Sequence, residues 1–157
     1  MSDPLHSCLY LACEQLDIAI DLFFSEKSNV SSLTLAGAAE EIFGTEIKNR
    51  KLKNTMTVKY QVLCSLMRKA NRQPPDWQAY NNLENYAKNA AKHIADKSKK
   101  NPQYDPYLRA DLRQAAMHML MRAANNVRLL GLPRSEAVQT LEGWYLANIA
   151  FPFEPGA

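Results

Sequence analysis

Apolar residues recur at helical spacing through most of the chain. The first stretch shows this with apolar positions three or four residues apart: Leu5, Leu9, Ala12, Leu16, Ala19 and Phe23. Such spacing places the apolar side chains on one face of an α-helix. Bounded by caps, glycines and prolines, the pattern predicts helices over 4–26, 33–44, 55–71, 77–100, 105–130 and 135–148. The expected fold is all-α, a bundle of five or six helices, mostly antiparallel because the connections are short.

Several predicted boundaries depend on single residues. Gly44 and Gly131 predict the ends of the second and fifth helices, since glycine adopts the left-handed conformation of a helix C-terminus without strain. Asp76 is the expected N-cap of the fourth helix. Asp105 and Pro106 predict the cap and first turn of the fifth helix.

The second helix contains the small residues 36–39 and two adjacent carboxylates. Gly37 costs a helix interior about 1 kcal/mol relative to alanine, which indicates that a neighbouring element approaches closely there. Glu40 and Glu41 diverge by about 100° on a helix, so one is expected to face inward and the other solvent.

Length and composition predict one domain over residues 1–157, with 150–157 as an extended C-terminal tail. No apolar run reaches the ~18 residues that a membrane span needs, and the polar N-terminus does not resemble a signal peptide. A cytoplasmic protein is therefore expected. The three cysteines lack metal-ligand spacing and are interpreted as small buried hydrophobes, so neither a metal nor a cofactor is expected.

Charge is unevenly distributed along the chain. Residues 1–47 hold eight acids and one base (net −7), whereas residues 48–100 hold thirteen bases and three acids (net +10). The densest basic run includes Lys48, Arg50 and Lys51. This middle third could bind a polyanion, or it could pair with the acidic first third within the chain or across a dimer.

A short motif lies on the predicted fourth helix. Lys88 is followed by the amide Asn89 and, five positions after the lysine, by His93. This pattern resembles the motif of HEPN-domain proteins, in which an arginine is followed by a polar residue and then by a histidine. Lys88 stands where the family has arginine. The stretch 33–44 also resembles a helix of some HEPN relatives and of small bacterial helical proteins.

The resemblance implies metal-independent RNA cleavage at a dimer interface. Lys88 would hold the scissile phosphate, Asn89 would orient it, and His93 would transfer a proton. On one straight helix Lys88 and His93 lie about 140° apart, so a catalytic site would need a distorted helix or a second copy. Lysine offers phosphate a point charge in place of the planar fork of arginine. Whether the chain is an enzyme therefore stays open.

A second polar set lies on the predicted fifth helix. Asp111, His118, Arg122 and Asn125 fall on one stripe, and Arg122 is expected to pair with Glu40 or Glu41 or to supply a phosphate-binding fork. The simpler alternative is that the stripe forms a half-exposed boundary face.

These patterns leave several functions open. The leading hypothesis is a HEPN-like homodimer that contacts RNA or a protein partner and that could act as a ribonuclease. The alternatives are a non-catalytic interaction bundle, or a small-ligand protein with a pocket between Glu41, His93, His118 and Arg122.

Overall fold

The computed structural model describes residues 6–92 and 108–150, and within these ranges it has six α-helices and no β-strand. The helices are α1 (Cys8–Phe24), α2 (Asn29–Asn49), α3 (Thr55–Lys69), α4 (Trp77–Lys92), α5 (Leu112–Leu129) and α6 (Glu136–Tyr145). A π-helical turn, Leu146–Ala150, follows α6. The predicted all-α class is confirmed. The predicted tail beyond residue 150 and the predicted end of the fourth helix near residue 100 lie outside the described residues.

The apolar core joins α1, α2, α5 and α6. Its largest side chains are fully buried: Leu16, Ile20, Phe23, Leu33, Phe43, Ile47, Leu120 and Leu141. Trp144 of α6 packs edge-on against Phe23 at 5.6 Å and Phe24 at 5.7 Å. Burial of these faces is the main favourable term for this part of the fold.

The pair α3–α4 lies outside that core. Of the fifteen residues of α3, only Met56 and Cys64 are buried. An aromatic cluster links the two helices, with Tyr60 5.1 Å from both Trp77 and Tyr80 between ring centroids. Attachment of this pair to the core therefore depends on a limited set of contacts, several of them polar.

The helix caps agree with the sequence in part. The Asp76 carboxylate accepts a hydrogen bond from the Ala79 backbone N–H at 2.8 Å, which confirms the predicted cap of α4. Gly131 ends α5 as predicted, with φ +67°, and the Leu132 N–H donates to the Val127 carbonyl at 3.1 Å. This bond belongs to a Schellman motif, in which the left-handed residue satisfies the last carbonyls.

The predicted bounds of the second helix were wrong at both ends. The helix begins at Asn29, because the Ser28 hydroxyl caps it by accepting from the Ser31 N–H at 3.1 Å. It passes through Gly44 and ends at Asn49, since Ile47 must remain helical to stay buried in the core. Lys51, with φ +58°, takes the left-handed position that Gly44 was expected to hold.

The predicted starts of the first and fifth helices were also wrong. Ser7 is extended and α1 begins at Cys8, after Pro4. Residues 108–111 are not helical, and α5 begins at Leu112. Asp111 is its cap and accepts from the Gln114 N–H at 3.0 Å. Asp105 and Pro106 lie outside the described residues.

Within the described ranges, no helix combines the length and the apolar content that crossing a lipid bilayer requires.

Candidate functional site

Five polar side chains meet where α2, α4 and α5 come together. We call this set the polar seam: Glu40 and Glu41 of α2, Asn85 and Lys88 of α4, and Arg122 of α5. All but Glu41 are at most 8% exposed. Buried charges at such a junction must find partners, because an unpaired buried charge costs several kcal/mol.

Arg122 connects all three helices of the seam. Its Nη2 lies 2.9 Å from the Glu40 carboxylate, and the two side chains are 4% and 7% exposed. Its Nη1 donates to the Asn85 amide oxygen at 3.3 Å and to the Glu84 carbonyl at 3.4 Å. Its buried Nε has no hydrogen-bond partner in the structure. The expected pairing of Arg122 with one of the two carboxylates is therefore found, and the partner is Glu40.

Lys88 is held by a second ion pair. Its Nζ lies 2.6 Å from Glu41 Oε1; the lysine side chain is 6% exposed and that of Glu41 57%. The Lys88 stem runs across Gly37, where an added Cβ would lie 2.5 Å from Lys88 Cδ. The close approach predicted at Gly37 is therefore found, and the neighbour is a lysine stem. The predicted split between the two carboxylates is found too, with Glu40 buried and Glu41 exposed.

The seam is balanced in charge. Each cation faces a carboxylate, so the formal charges of the two pairs cancel. An anion that approached Lys88 would meet the carboxylate of Glu41 beside it. The arrangement is suited to fixing α4 on α2 and α5, and a phosphate would have to displace a carboxylate to bind there.

Two clefts flank the seam, and both are lined by Lys88 and Arg122. The first, about 280 Å³, has the exposed His118 at its edge. The second, about 310 Å³, extends from the seam to Lys48. The structure thus brings Lys88, Arg122 and His118 to one cleft, and two of these, Arg122 and His118, belong to the set predicted for a small-ligand pocket.

The other predicted site residues are dispersed. Asn89 is exposed, and His93 lies outside the described residues. Asn125 is partly buried and lines a different surface groove. Lys48, Arg50 and Lys51 are exposed around the C-terminus of α2. The expected half-exposed stripe on α5 is wrong for its central residue, because Arg122 is 3% exposed.

Arg50 has structural partners of its own. Its Nε lies 2.8 Å from the Glu46 carboxylate, and its Nη1 donates to the Leu130 carbonyl at 3.2 Å. The guanidinium therefore ties the end of α2 to the end of α5, and it also lowers the pKa of Glu46 through a hydrogen bond and its charge.

The sequence analysis missed an apolar groove on α3. We call it the α3 groove; it measures about 770 Å³. It is lined by Thr55, Val58, Lys59, Val62, Leu63 and Leu66 of α3, Tyr80 and Glu84 of α4, and Asn125, Arg128 and Leu129 of α5. The available signal was the spacing of Val58, Val62 and Leu66, a second apolar stripe beside the one assigned to the core.

Tyr80 forms part of that groove and of the aromatic cluster. Burial, followed by the nearby Glu84 carboxylate, raises the pKa of Tyr80 to about 12. Both effects disfavour the phenolate, which is the charged form.

The described residues include no group of three or more histidine, cysteine, aspartate or glutamate side chains that could hold a metal ion.

Comparison with known proteins adds no family assignment: no protein-family model, curated protein or solved structure matches the chain. The fold and the seam thus define an all-α bundle with an ion-paired polar junction.

Proposed function

We propose that this chain is a helical-bundle interaction protein that binds a partner and does not catalyse a reaction. The observation that supports the proposal is the pairing of both buried cations of the polar seam. Lys88 lies 2.6 Å from a carboxylate oxygen of Glu41, and Arg122 lies 2.9 Å from one of Glu40. A phosphate could therefore bind Lys88 or Arg122 only after displacing the carboxylate that the cation already contacts.

Energetics make such an exchange unfavourable. Separating Arg122 from Glu40 would cost about 3–5 kcal/mol, because the buried Glu40 carboxylate would stay uncompensated. Glu41 is 57% exposed, so its separation from Lys88 would cost less. Arg122 would also give up the Asn85 oxygen and the Glu84 carbonyl. The bound substrate phosphate would have to offset these lost contacts already in the ground state, before any interaction specific to the transition state could lower the reaction barrier. The polar seam is better suited to fixing α4 on α2 and α5 than to binding a substrate phosphate. It thereby positions the α3–α4 surface for a partner.

Incubation with mixed-sequence RNA in EDTA tests the absence of catalysis. We expect wild type and His93→Ala to leave RNA equally intact, while an added ribonuclease degrades it. Cleavage by wild type that disappears in His93→Ala would overturn the proposal. It would favour the HEPN-like mechanism, in which Lys88, Asn89 and His93 of two paired chains act together.

RNA contact is the second candidate function, and the composition of one segment favours it. Residues 47–75 contain eight lysines and arginines and no acid. Lys48, Lys51 and Lys53 in this segment are exposed. Exposed cations bind the phosphate backbone by releasing counterions, so the affinity must fall steeply with salt.

Fluorescence anisotropy with a labelled single-stranded RNA tests this candidate. If it holds, Lys48→Ala/Lys51→Ala/Lys53→Ala weakens binding and reduces the slope of log K against log salt by about two units, roughly 0.7 for each phosphate that the variant no longer neutralises. Lys27→Ala, an exposed lysine in the acidic part of the chain, serves as control. Equal salt slopes for wild type and the triple variant would eliminate this candidate.

A further inference from the structure

The outward face of α3 is apolar and uncovered. Val58, Val62 and Leu66 follow each other at four-residue spacing and are 44%, 53% and 59% exposed. They line one side of the α3 groove, and Leu129 of α5, 43% exposed, lines the other. Contiguous apolar surface of this kind marks an interaction site more often than a free surface.

The surroundings of this groove are basic. Lys59 and Arg128 line it, and Lys69 falls on the same face of α3 as Val58 and Val62. Glu84 also lines the groove and pairs with Lys59 at 3.0 Å, so these two charges cancel, and Arg128 and Lys69 leave the surroundings net positive. Two α3 faces packed symmetrically would bring the lysines and arginines of both copies together, and like charges oppose that contact. The occupant must therefore be apolar and acidic.

The outward face of α1 has this chemistry. Tyr10, Leu11 and Ile18 are 68%, 37% and 46% exposed. Glu14 and Asp21, also exposed, lie on the same face at helical spacing, one before and one after Ile18. Apolar and acidic side chains thus alternate over twelve residues, or roughly 18 Å of helix at 1.5 Å per residue. The stripe from Val58 to Lys69 on α3 has the same length.

We propose that the α3 groove of one chain receives the outward face of α1 from a second copy of the same chain. This inference rests on the proposed interaction function and names its partner. Tyr10, Leu11 and Ile18 pack on the apolar stripe, as an amphipathic helix does in a hydrophobic groove. Glu14 and Asp21 lie among the basic side chains at its edges.

The contact joins two different surfaces, so it has a head-to-tail character. If it closes with two-fold symmetry it forms a dimer with two equivalent contacts, and otherwise it extends into longer assemblies. In both cases Glu14 and Asp21 of one copy lie near Arg128 and Lys69 of the other.

Light scattering after size-exclusion chromatography provides the first test. We expect wild type to associate as its concentration rises, and to dissociate as salt screens the edge charges. Val62→Glu and Ile18→Lys should each weaken association by about tenfold or more, because each places a repelling charge in the contact. Leu146→Glu and Leu146→Lys make the same changes at a 52%-exposed leucine outside both faces, and should associate like wild type.

Mixing the two defective variants gives the decisive result. Val62→Glu keeps an intact α1 face, and Ile18→Lys keeps an intact groove. Each variant alone should therefore associate at least about tenfold more weakly than wild type, whereas an equimolar mixture should form a one-to-one complex through the one intact contact. Circular dichroism must show native helix content in both variants before mixing.

Three results would overturn the inference: wild type that is monomeric at roughly 1 mM, variants that associate like wild type, or a mixture that stays monomeric. These results are separable from failure of the proposed function, which histidine-dependent RNA cleavage would show whatever the oligomeric state.

Discussion

The buried pair of Arg122 and Glu40 yields the sharpest stability prediction. Arg122→Met removes the cation from a carboxylate that is 7% exposed and leaves Asn85 without its guanidinium donor. Breaking a buried ion pair from one side typically costs about 3–5 kcal/mol. For a chain of this size about 2–4 °C of melting temperature is lost per kcal/mol, so a decrease of roughly 6–20 °C is expected.

Urea unfolding followed by circular dichroism measures the effect, with Glu40→Leu and the double variant beside the single one. We expect Glu40→Leu to be costly as well, because it leaves the guanidinium unpaired. The double variant should recover most of the loss, since apolar residues of similar volume often replace a buried pair without net cost. A coupling energy of at least about 2 kcal/mol between the two positions would follow.

A second ion pair of the same chemistry serves as the control. Arg134 Nη1 lies 2.7 Å from the Glu142 carboxylate, and the two side chains are 47% and 14% exposed. Because water reaches the Arg134 guanidinium and screens this pair, Arg134→Met should destabilise the fold clearly less than Arg122→Met. If Arg122→Met costs no more than Arg134→Met, or if the double variant shows simple additivity, the role assigned to the polar seam is refuted.

Two further predictions concern Gly37 and Tyr80. Gly37→Ala should destabilise the fold by about 1 kcal/mol or more, because overpacking against the Lys88 stem exceeds the gain in helix propensity. Urea unfolding should show the opposite sign in a Lys88→Ala background, and also for Gly143→Ala, whose new Cβ meets nothing within 4 Å. Since the pKa of Tyr80 is raised to about 12, the unfolded chain releases this proton first, near its ordinary value of about 10. Stability should therefore decline between about pH 10 and 12. A hydrogen bond with Cys64, followed by burial, raises the pKa of Tyr60 as well, so Tyr80→Phe should reduce the decline without abolishing it; equal pH profiles would contradict the shift.

Local signals in the sequence were sufficient for the class of the fold and for some boundaries. Asp76 caps α4 and Gly131 ends α5, because these effects depend only on a residue and its own helix turn. Gly44 failed as a stop since burial of Ile47, three residues later, outweighs the propensity of one glycine for a helix end. The end of α2 is therefore set by tertiary packing, which a local sequence pattern does not encode.

The chemical character of the candidate site could be predicted from the sequence, whereas the arrangement of its side chains could not. Adjacency of Glu40 and Glu41 indicated that one faces inward, and helical spacing brought Arg122 into consideration as the partner. The burial of Lys88, in contrast, depends on the crossing of α4 over Gly37, which a linear pattern does not specify. For the same reason the sequence did not indicate that Lys88 belongs to an internal ion pair.

The α3 groove illustrates a different limit. Two apolar stripes share α3, one with Met56 and Cys64 and another with Val58, Val62 and Leu66. Sequence periodicity detects both stripes but does not show which one is buried. A stripe that packs within its own chain and a stripe that binds a partner have the same apolar composition.

The placement of the aromatic residues gives the molecule two separate optical reporters. Trp144 is partly buried and packs edge-on against Phe23 and Phe24 at the apolar core, whereas Trp77 contacts the rings of Tyr60 and Tyr80 on the α3–α4 pair. The emission of each indole therefore follows the integrity of one half of the protein. Because polar contacts fasten one half to the other, detachment of the outer pair changes the spectrum of Trp77 while that of Trp144 stays constant.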